Sequence, residues 1–317
     1  MKNNVVKKDN NMIEEYKYVV DNSKYVKIIP VNIDKFIEDL GIIKYSHWYN
    51  DYDLKLNEKE RILLAFIIES MNFCFWQEPK WKVKYKNELI TGSNALFAAV
   101  IKEVENNKKF LNLDYLNNLD IKNFSKIFAG INTCPFLEKR YNNFKEVINY
   151  FANHDVYNEL FNIKSNKELI EYVVTNFSSF NDVSWYKGHL IKFYKRANLL
   201  VNDLFNLSLT IKKNIHDVFN LSGCADYGIP RTFRDYKIIE YSDELAYLVD
   251  NKKSIKHGSE MEVEIRANIL YVIELIKNKL KDKNIIIASV ELDNLIWLMG
   301  KRMKDRSNSH HTITIYY

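Results

Sequence analysis

Glycine, proline and cysteine are scarce in this chain, with 8, 4 and 3 residues among 317. The cysteines are far apart and form no CxxC pair, which argues against a disulfide framework and a zinc site and indicates a reducing environment. No apolar run reaches the roughly 18 residues that a membrane span needs, and the first residues lack the apolar region of a signal peptide. We therefore expect a cytoplasmic protein with no membrane partner and a flexible leader over residues 1–11.

Several catalytic signatures are also missing. The sequence contains no GxGxxG, GxxxxGK[ST], HExxH or GxSxG, so dinucleotide-binding, P-loop, zincin and α/β-hydrolase interpretations lose their usual support. The seven histidines show no metal-ligand spacing, and we expect no metal and no cofactor. The net charge of +5 is dispersed along the chain, which suits an anionic ligand without requiring a nucleic-acid partner.

Helical periodicity is present along most of the sequence. The alternation in WKVKY followed by ELI predicts one small β-hairpin, and the tail HHTITIYY could form a short terminal strand. No repeat, linker or composition break marks a boundary, so we predict a single, mainly α-helical domain over residues 1–317 with a small β-hairpin. Helices are predicted at residues 12–20, 32–40, 57–71, 93–105, 120–129, 135–151, 153–161, 166–177 and 193–207, and after Ser242, Ser259 and Ser289.

Residues 223–266 concentrate polar and aromatic groups between apolar runs. Asp226 lies in the turn-like segment GCADYGIP, where an Asx turn is its commoner use. A carboxylate held among aromatic neighbours could instead offset positive charge or deprotonate water. Lys195 opens a predicted helix, where a cation opposes the dipole, so a bound anion or a buried carboxylate is an alternative to plain solvation. Glu262 and Arg266 have the spacing of an ion pair beside the core.

Aromatic residues cluster where the predicted helix 57–71 gives way to the hairpin. Phe73, Phe75, Trp76 and Trp81 form either ordinary core packing or a stacking platform for a flat base. Trp297, in LDNLIWLMG, has the same two interpretations.

Six ordered motifs carry a resemblance to a known family. NFCFW, FYKRA, ADYGIPRTFRDYKIIEYSDEL, GSEMEVEIRA, LDNLIWL and HHTITIYY, between about residue 40 and the C-terminus, resemble the queuosine salvage protein family. The resemblance implies a mostly helical fold similar to helix-hairpin-helix DNA glycosylases. It also implies metal-free hydrolysis of queuosine 5′-phosphate, a small-molecule nucleotide, which releases queuine for tRNA modification. A base-excising glycosylase acting on a polynucleotide and a non-catalytic nucleotide-binding module remain alternatives.

The same resemblance assigns roles to individual residues. Asp226 is the expected catalytic carboxylate, which either stabilises the developing ribosyl cation or attacks it, and Lys195 is a second active-site residue. Lys195, Arg196 or Arg231 would hold the 5′-phosphate or a carboxylate network. Gly228 departs from the basic residue and Leu298 from the acidic residue that family members often have there. The expected substrate contacts are His47, Phe73, Phe75, Trp76, Tyr227, Arg231, Trp297 and His310.

Overall fold

The computed structural model describes residues 12–41, 46–215 and 221–317, so the predicted leader over residues 1–11 lies outside the described residues. The described chain is mainly helical, as predicted. Its fifteen α-helices are α1 (Met12–Asp21), α2 (Ile33–Leu40), α3 (Glu58–Met71), α4 (Ser93–Asn106), α5 (Leu113–Asn117), α6 (Ile121–Ile127), α7 (Leu137–Asn153), α8 (Val156–Asn162), α9 (Asn166–Asn176), α10 (Lys195–Leu207), α11 (Leu209–Asn214), α12 (Ile229–Asp235), α13 (Asp243–Asp250), α14 (Glu260–Asp282) and α15 (Ser289–Arg302).

Capping side chains fix where several of these helices begin. Asn57 and Glu60 form a reciprocal capping box at α3, because each side chain accepts a hydrogen bond from the other residue's backbone N–H. Ser259 accepts from the backbone N–H of Glu262 at the start of α14, as the spacing predicted. Helix α15 differs from expectation, since Ala288 precedes it and it continues past Gly300 to Arg302.

Three antiparallel two-stranded sheets accompany the helices in the described residues: β2 (Lys82–Tyr85) with β3 (Glu88–Thr91), β4 (Val183–Tyr186) with β5 (His189–Lys192), and β1 (Val26–Ile28) with β6 (Ile239–Tyr241). The first pair is the predicted hairpin. The prediction of a single hairpin was incomplete, because VSWYKGHLIK forms a second one and β1 pairs with a strand more than 200 residues away. The tail contributes an isolated bridge between Ser254 and His311 in place of the expected strand.

Two hydrophobic clusters form the interior. The first is built around α3, in which residues 62–71 are all buried, together with α4, α7 and α10. The second joins α1, α2, α12 and α14. The segment before α12 crosses between them, since Cys224 packs in the first cluster and Ala225 in the second. Asp226 therefore lies where the two clusters meet.

None of the helices in residues 12–41, 46–215 and 221–317 combines the length and apolar character needed to cross a bilayer. The three cysteines are buried and are not joined in disulfides.

Candidate active site

The turn that carries Asp226 is held by its own carboxylate. Asp226 Oδ1 accepts hydrogen bonds from the backbone N–H of Gly228 at 2.6 Å and of Ile229 at 3.2 Å. The sequence left an Asx turn and a functional carboxylate open as alternatives, and Asp226 makes the turn through one oxygen. Within the described residues Oδ2 forms no hydrogen bond, and the residue is half-buried. One oxygen is thus fixed by the backbone and the other is available.

Two helices anchor this turn from opposite sides. Asp293 of α15 accepts a hydrogen bond from the Cys224 backbone N–H at 3.0 Å. Arg266 of α14 donates from Nε to the Ala225 carbonyl at 3.2 Å. The backbone on the N-terminal side of Asp226 is therefore held by two buried side chains.

Asp226 and Asp293 form a pair of neighbouring carboxyl groups. Burial raises the pKa of Asp293 well above its usual range, the charge of Asp226 raises it further, and the Cys224 N–H and the Lys195 ammonium only partly oppose them. The raised pKa favours the protonated form of Asp293. Asp226 and Asp293 thus place two carboxyl groups in unequal surroundings, a combination that can supply a negative charge and a proton donor at one place.

Lys195 is the buried cation next to this pair. It begins α10 after Tyr194, whose backbone is left-handed at φ +49°, and its own N–H lies 3.4 Å from Asp182 Oδ2. The residue is 7% exposed, yet its Nζ forms no hydrogen bond with any described residue. An ammonium that ends a mostly buried side chain and has no hydrogen bond to the protein is stabilised by an anionic or polar partner, so this position favours a bound anion or polar ligand.

Two further carboxyl groups, Glu69 of α3 and Asp203 of α10, lie beyond Lys195. Burial and the charge of Asp203 raise the pKa of Glu69, Lys195 opposes both, and the net pKa is about 8. Asp203 Oδ1 accepts from His47 Nε2 at 2.9 Å and Trp48 Nε1 at 3.0 Å, whereas its buried Oδ2 has no partner within the described residues. His47 thus contacts a carboxylate of the cluster through Nε2.

Trp297 lies directly against the Asp226 turn. A Cβ at Gly228 would stand 3.0 Å from Trp297 Cδ1 and 3.3 Å from Asp226 Oδ1, so a side chain at residue 228 would displace the indole. Lys301 Nζ lies 3.5 Å from the centroid of the Trp297 ring.

Tyr227 and Arg231 complete the surroundings of Asp226. Burial raises the pKa of the Tyr227 phenol, the charge of Asp226 raises it further, and a contact with the Phe75 backbone lowers it. Arg231 is half-buried on α12, and its buried Nε has no hydrogen-bond partner among the described residues. These contacts bring Phe75, Tyr227, Arg231 and Trp297 to the side of Asp226.

Other predicted site residues have protein partners. Phe73 packs against the Arg140 guanidinium, 4.4 Å from its ring centroid. Trp76 stacks on His311 with centroids 4.2 Å apart and donates from Nε1 to the Thr312 carbonyl. His310 is buried beside the Tyr317 hydroxyl at 3.2 Å, and burial lowers its pKa to about 4.

Arg196, which the FYKRA motif offered as an alternative phosphate ligand, donates to the protein from Nη1 and Nη2, while its buried Nε has no partner among the described residues. It is buried and donates to the backbone carbonyls of Glu69, Ser70 and Ser179, with its guanidinium 4.7 Å from the Phe180 ring centroid. These contacts assign Arg196 to the scaffold that carries α10.

Sequence reasoning missed three carboxyl groups of this cluster: Glu69, Asp203 and Asp293. Glu69 follows the wholly apolar run at residues 62–68, and a carboxylate ending such a run is a recognisable signal. Asp203 and Asp293 lie inside helical patterns whose apolar faces were recognised, but nothing in a helical period shows that an aspartate points inward. The described residues contain no group of three or more His, Cys, Asp or Glu arranged to hold a metal ion.

A separate cavity of about 640 Å³ lies between β1, β6 and α14, with Tyr25, Glu240 and Asn268 in its walls. It shares no residue with the carboxyl cluster around Asp226.

The part of the chain that carries this cluster matches a known protein family. The family model described as "Queuosine salvage protein" matches residues 52–317, which is most of the chain and contains every carboxyl group of the cluster. The chain belongs to the queuosine salvage protein family.

Three relatives from distant organisms are each named queuosine 5′-phosphate N-glycosylase/hydrolase. The Dictyostelium discoideum protein is 30% identical, over 93% of this chain and 95% of its own length. The Sphaerobacter thermophilus protein is 29% identical, over 86% and 84%. The Mus musculus protein is 26% identical, over 96% and 98%. The similarity therefore spans nearly the whole of each relative, as the motif resemblance implied.

Proposed function

We propose that this chain hydrolyses the N-glycosidic bond of queuosine 5′-phosphate and releases queuine for salvage. Membership of the queuosine salvage family carries the proposal, together with the names of relatives matched over nearly their full length. The neighbouring Asp226 and Asp293 carboxyl groups, with the mostly buried Lys195 beside them, support it chemically. The substrate is a small nucleotide, and no stable nucleic-acid partner is part of this proposal.

Breaking a ribosyl C–N bond develops positive charge on the sugar, as glycoside hydrolysis does. Asp226 supplies the negative charge beneath C1′. Its Oδ1 is held by two backbone N–H groups, so Oδ2 can face the sugar without reorganising the turn. Asp226 then either orients an attacking water or forms a covalent bond to C1′, and both routes need the same ionised oxygen.

Asp293 assists the departure of the base, and Lys195 stabilises the carboxylates of the site. Queuine is a 7-deazapurine and has no N7 to protonate, so its departure depends on donors placed elsewhere around the ring. The Asp293 carboxyl group, whose raised pKa favours the protonated form, can donate such a hydrogen bond. Lys195 balances the charge of the surrounding carboxylates, and Trp297, Tyr227 and Phe75 provide aromatic surfaces against which the base can pack.

The reaction proposed here needs no metal, because the two carboxyl groups supply both the charge and the proton. We further propose that the helical arrangement is related to that of helix-hairpin-helix DNA glycosylases. The mainly helical fold, with its carboxylate in a turn just before α12, supports that relationship.

The test measures free base by mass spectrometry after incubation with queuosine 5′-phosphate, queuosine nucleoside and ordinary nucleotides in parallel. Asp226→Asn keeps an oxygen for the Gly228 and Ile229 N–H groups but removes the charge. We expect turnover to fall by about 10³-fold or more, as for loss of a preorganised charge in an active site, with unchanged thermal unfolding. Asp243→Asn, at an exposed aspartate of α13, is the matched control and should retain turnover.

Asp293→Asn separates the two carboxyl roles. It keeps the acceptor for the Cys224 N–H, and we expect a smaller loss, of about 10²-fold, because general-acid assistance is worth about 10²–10⁴. Full turnover of Asp226→Asn together with an inactive Asp293→Asn would transfer the anionic role to Asp293. Absence of queuine release by the wild-type protein from every substrate would refute the hydrolase proposal.

A further inference from the structure

Three basic side chains surround the outer side of the Asp226 turn: Arg231 of α12, Lys301 of α15, and Arg306, which follows α15. Close packing of the two helices brings them together, since Gly300 lies against Thr232 with no space for a side chain between them. Arg306 Nη1 donates to the Gly300 carbonyl at 3.3 Å, which holds it at the end of α15. The three cations thus approach one another from two elements.

Arg231 and Lys301 each interact electrostatically with Arg306 and with Asp226. Burial lowers the pKa of Arg231 and the charge of Arg306 lowers it further, while Asp235 and Asp226 oppose both effects. Lys301 and Arg306 are exposed, yet partial desolvation still lowers the pKa of Lys301, Asp226 opposes this and Arg306 adds to it. Like charges gathered in this way repel one another and are stabilised when an anion binds between them.

None of these three cations has an ion-pair partner in the described chain. No carboxylate oxygen of the described residues lies within 4 Å of Arg231, Lys301 or Arg306. Also on α12, Arg234 forms a bidentate ion pair with Asp250 of α13. Arg231, three residues earlier, keeps its buried Nε without any hydrogen bond. The donors around Asp226 are therefore free to receive a ligand.

We propose that Lys301 and Arg306, together with Arg231, bind the 5′-phosphate of the nucleotide substrate and set the preference for nucleotide over nucleoside. The inference rests on the proposed function. Trp297 lies between Lys301 and Gly228, so a base beside Trp297 and a ribose over Asp226 would direct the 5′-substituent towards these cations. Only the ribose ring, C5′ and O5′ separate C1′ from that phosphate.

The chemistry of the site fits a terminal phosphate better than an internal one. A phosphomonoester carries a charge of about −1.5 to −2 at pH 7 and three acceptor oxygens, whereas a diester carries a single charge. Two guanidinium groups and an ammonium match such a dianion in charge and in number of donors. Lys195, in contrast, is enclosed by Glu69 and Asp293 and is better suited to the carboxyl network.

The experiment compares kcat/KM for queuosine 5′-phosphate and for queuosine nucleoside in Lys301→Gln, Arg306→Gln and Arg231→Gln. We expect about a 10-fold or greater loss with the nucleotide for each variant, the usual value of a charged hydrogen bond, and a change of less than about threefold with the nucleoside if wild type cleaves it. Ribose 5-phosphate and inorganic phosphate should inhibit the wild-type protein and inhibit the variants at least about 10-fold more weakly. Arg302→Gln, at an exposed cation of α15, is the matched control.

The outcomes separate this inference from the proposed function. If wild type releases queuine and the three variants discriminate nucleotide from nucleoside as wild type does, the phosphate assignment is wrong while the hydrolase remains. Equal losses on both substrates would also overturn it, because they would indicate a role in the chemistry or the fold. Where wild type cleaves only the nucleotide, inhibition by ribose 5-phosphate decides, and unchanged inhibition of the variants contradicts the assignment. If wild type releases no queuine, the proposed function fails, and unchanged binding of ribose 5-phosphate by the variants, measured by calorimetry, would reject the phosphate site separately.

Discussion

Two buried cations, Arg266 and Lys195, lie on either side of the Asp226 turn and have opposite surroundings. Arg266 donates from Nη1 and Nη2 to Asp182 at 2.9 and 2.5 Å, and from Nε to the Ala225 carbonyl. A second carboxylate, Glu262, lies 3.4 Å from Nη1, as the i,i+4 spacing predicted. The guanidinium is enclosed by the rings of Phe193 and Tyr317. Every nitrogen of Arg266 is satisfied within the protein.

Lys195 is 7% exposed, against 0% for Arg266, and lacks those partners. Its Nζ makes no hydrogen bond with a described residue, and nearby Asp203 retains a buried oxygen without a partner. A network that is fully satisfied makes one structure rigid, whereas unsatisfied buried charges are retained where a ligand completes them. The difference indicates a structural role for the Arg266 network and a ligand-facing role for the Lys195 cluster.

The structural network also supports the ligand-facing cluster. Asp182 binds Arg266 through its carboxylate and, through its backbone carbonyl, accepts from the N–H groups of Phe193 and Tyr194 just before α10. Arg266 in turn holds Ala225, next to Asp226. The positions of Lys195 and Asp226 therefore depend on a common ion pair that need not touch the substrate.

Exchanging each cation for methionine should give the largest contrast in stability, with a large loss at Arg266 and a small one at Lys195. Arg266→Met leaves Asp182 buried without its partner, and we expect a loss of about 3–5 kcal/mol in the free energy of unfolding, as for other broken buried pairs. Lys195→Met removes a cation that has no hydrogen bond to lose, so the change should be within about 1 kcal/mol, while queuine release falls by about 10²-fold or more. Urea unfolding and the queuine assay measure the two effects.

Lys187→Met, at a surface lysine of the β4–β5 turn, controls for the substitution itself. Its cation interacts with the Tyr186 ring and the Asn22 carbonyl at the surface, so a small change in stability is expected. Equal destabilisation by Arg266→Met and Lys195→Met would show that the two cations do not differ as described.

Dependence on pH should distinguish Glu262 from Glu69. Burial raises the pKa of Glu262, but His257 and Arg266 outweigh it and lower the pKa to about 2, below the usual 4.5. Glu262 therefore contributes stability above pH 4.5 that is lost as the pH falls towards 2. The pKa of Glu69 is raised from 4.5 to about 8. Its contribution to the free energy of unfolding is therefore fully present below pH 4.5 and is lost as the pH rises towards 8.

Urea unfolding of Glu262→Gln and Glu69→Gln between pH 3 and 8.5 tests these opposite slopes. Relative to wild type, Glu262→Gln should lose about 2–3 kcal/mol more at neutral pH than at the acid end. Glu69→Gln should gain at least about 1 kcal/mol relative to wild type as the pH rises from 5 to 8. Parallel curves for the two variants would contradict the opposite pKa shifts of the two carboxyl groups.

The helical fold was predictable because it depends on local signals. The apolar periods identified most helices to within a few residues, and Asn57, Ser165 and Ser259 cap three of them in the structure. The β1–β6 pair was not predictable, because each strand has only three residues and its partner lies far along the chain. The second hairpin, VSWYKGHLIK, was missed although Lys187 and Gly188 form a two-residue turn with positive φ.

Candidate site residues could be named from the sequence where they lie in motifs. Those that come together only through contacts between helices could not. The resemblance pointed to Asp226, Lys195 and Trp297, which the structure brings into one region. Glu69 and Asp293 are recognised as site residues only when α3, α10 and α15 are packed together, because their pKa values are raised by burial and by a neighbouring charge. Whether His310 and Trp76 contact substrate, as the sequence predicted, stays a prediction, although both already have protein partners.

The smallest effect should separate two tryptophans. One face of Trp76 is covered by His311 and its N–H is bound to Thr312, whereas Trp297 lies beside Asp226 under the flexible side chain of Lys301. Trp297→Leu should raise KM for queuosine 5′-phosphate by about 5–100-fold, equivalent to about 1–3 kcal/mol for a stacked base. Trp76→Leu should raise it by less than about threefold and act mainly on stability. A larger KM effect at Trp76 would mean that the base lies against the indole bound by the C-terminal tail, and that Trp297 belongs to the structural side of the comparison.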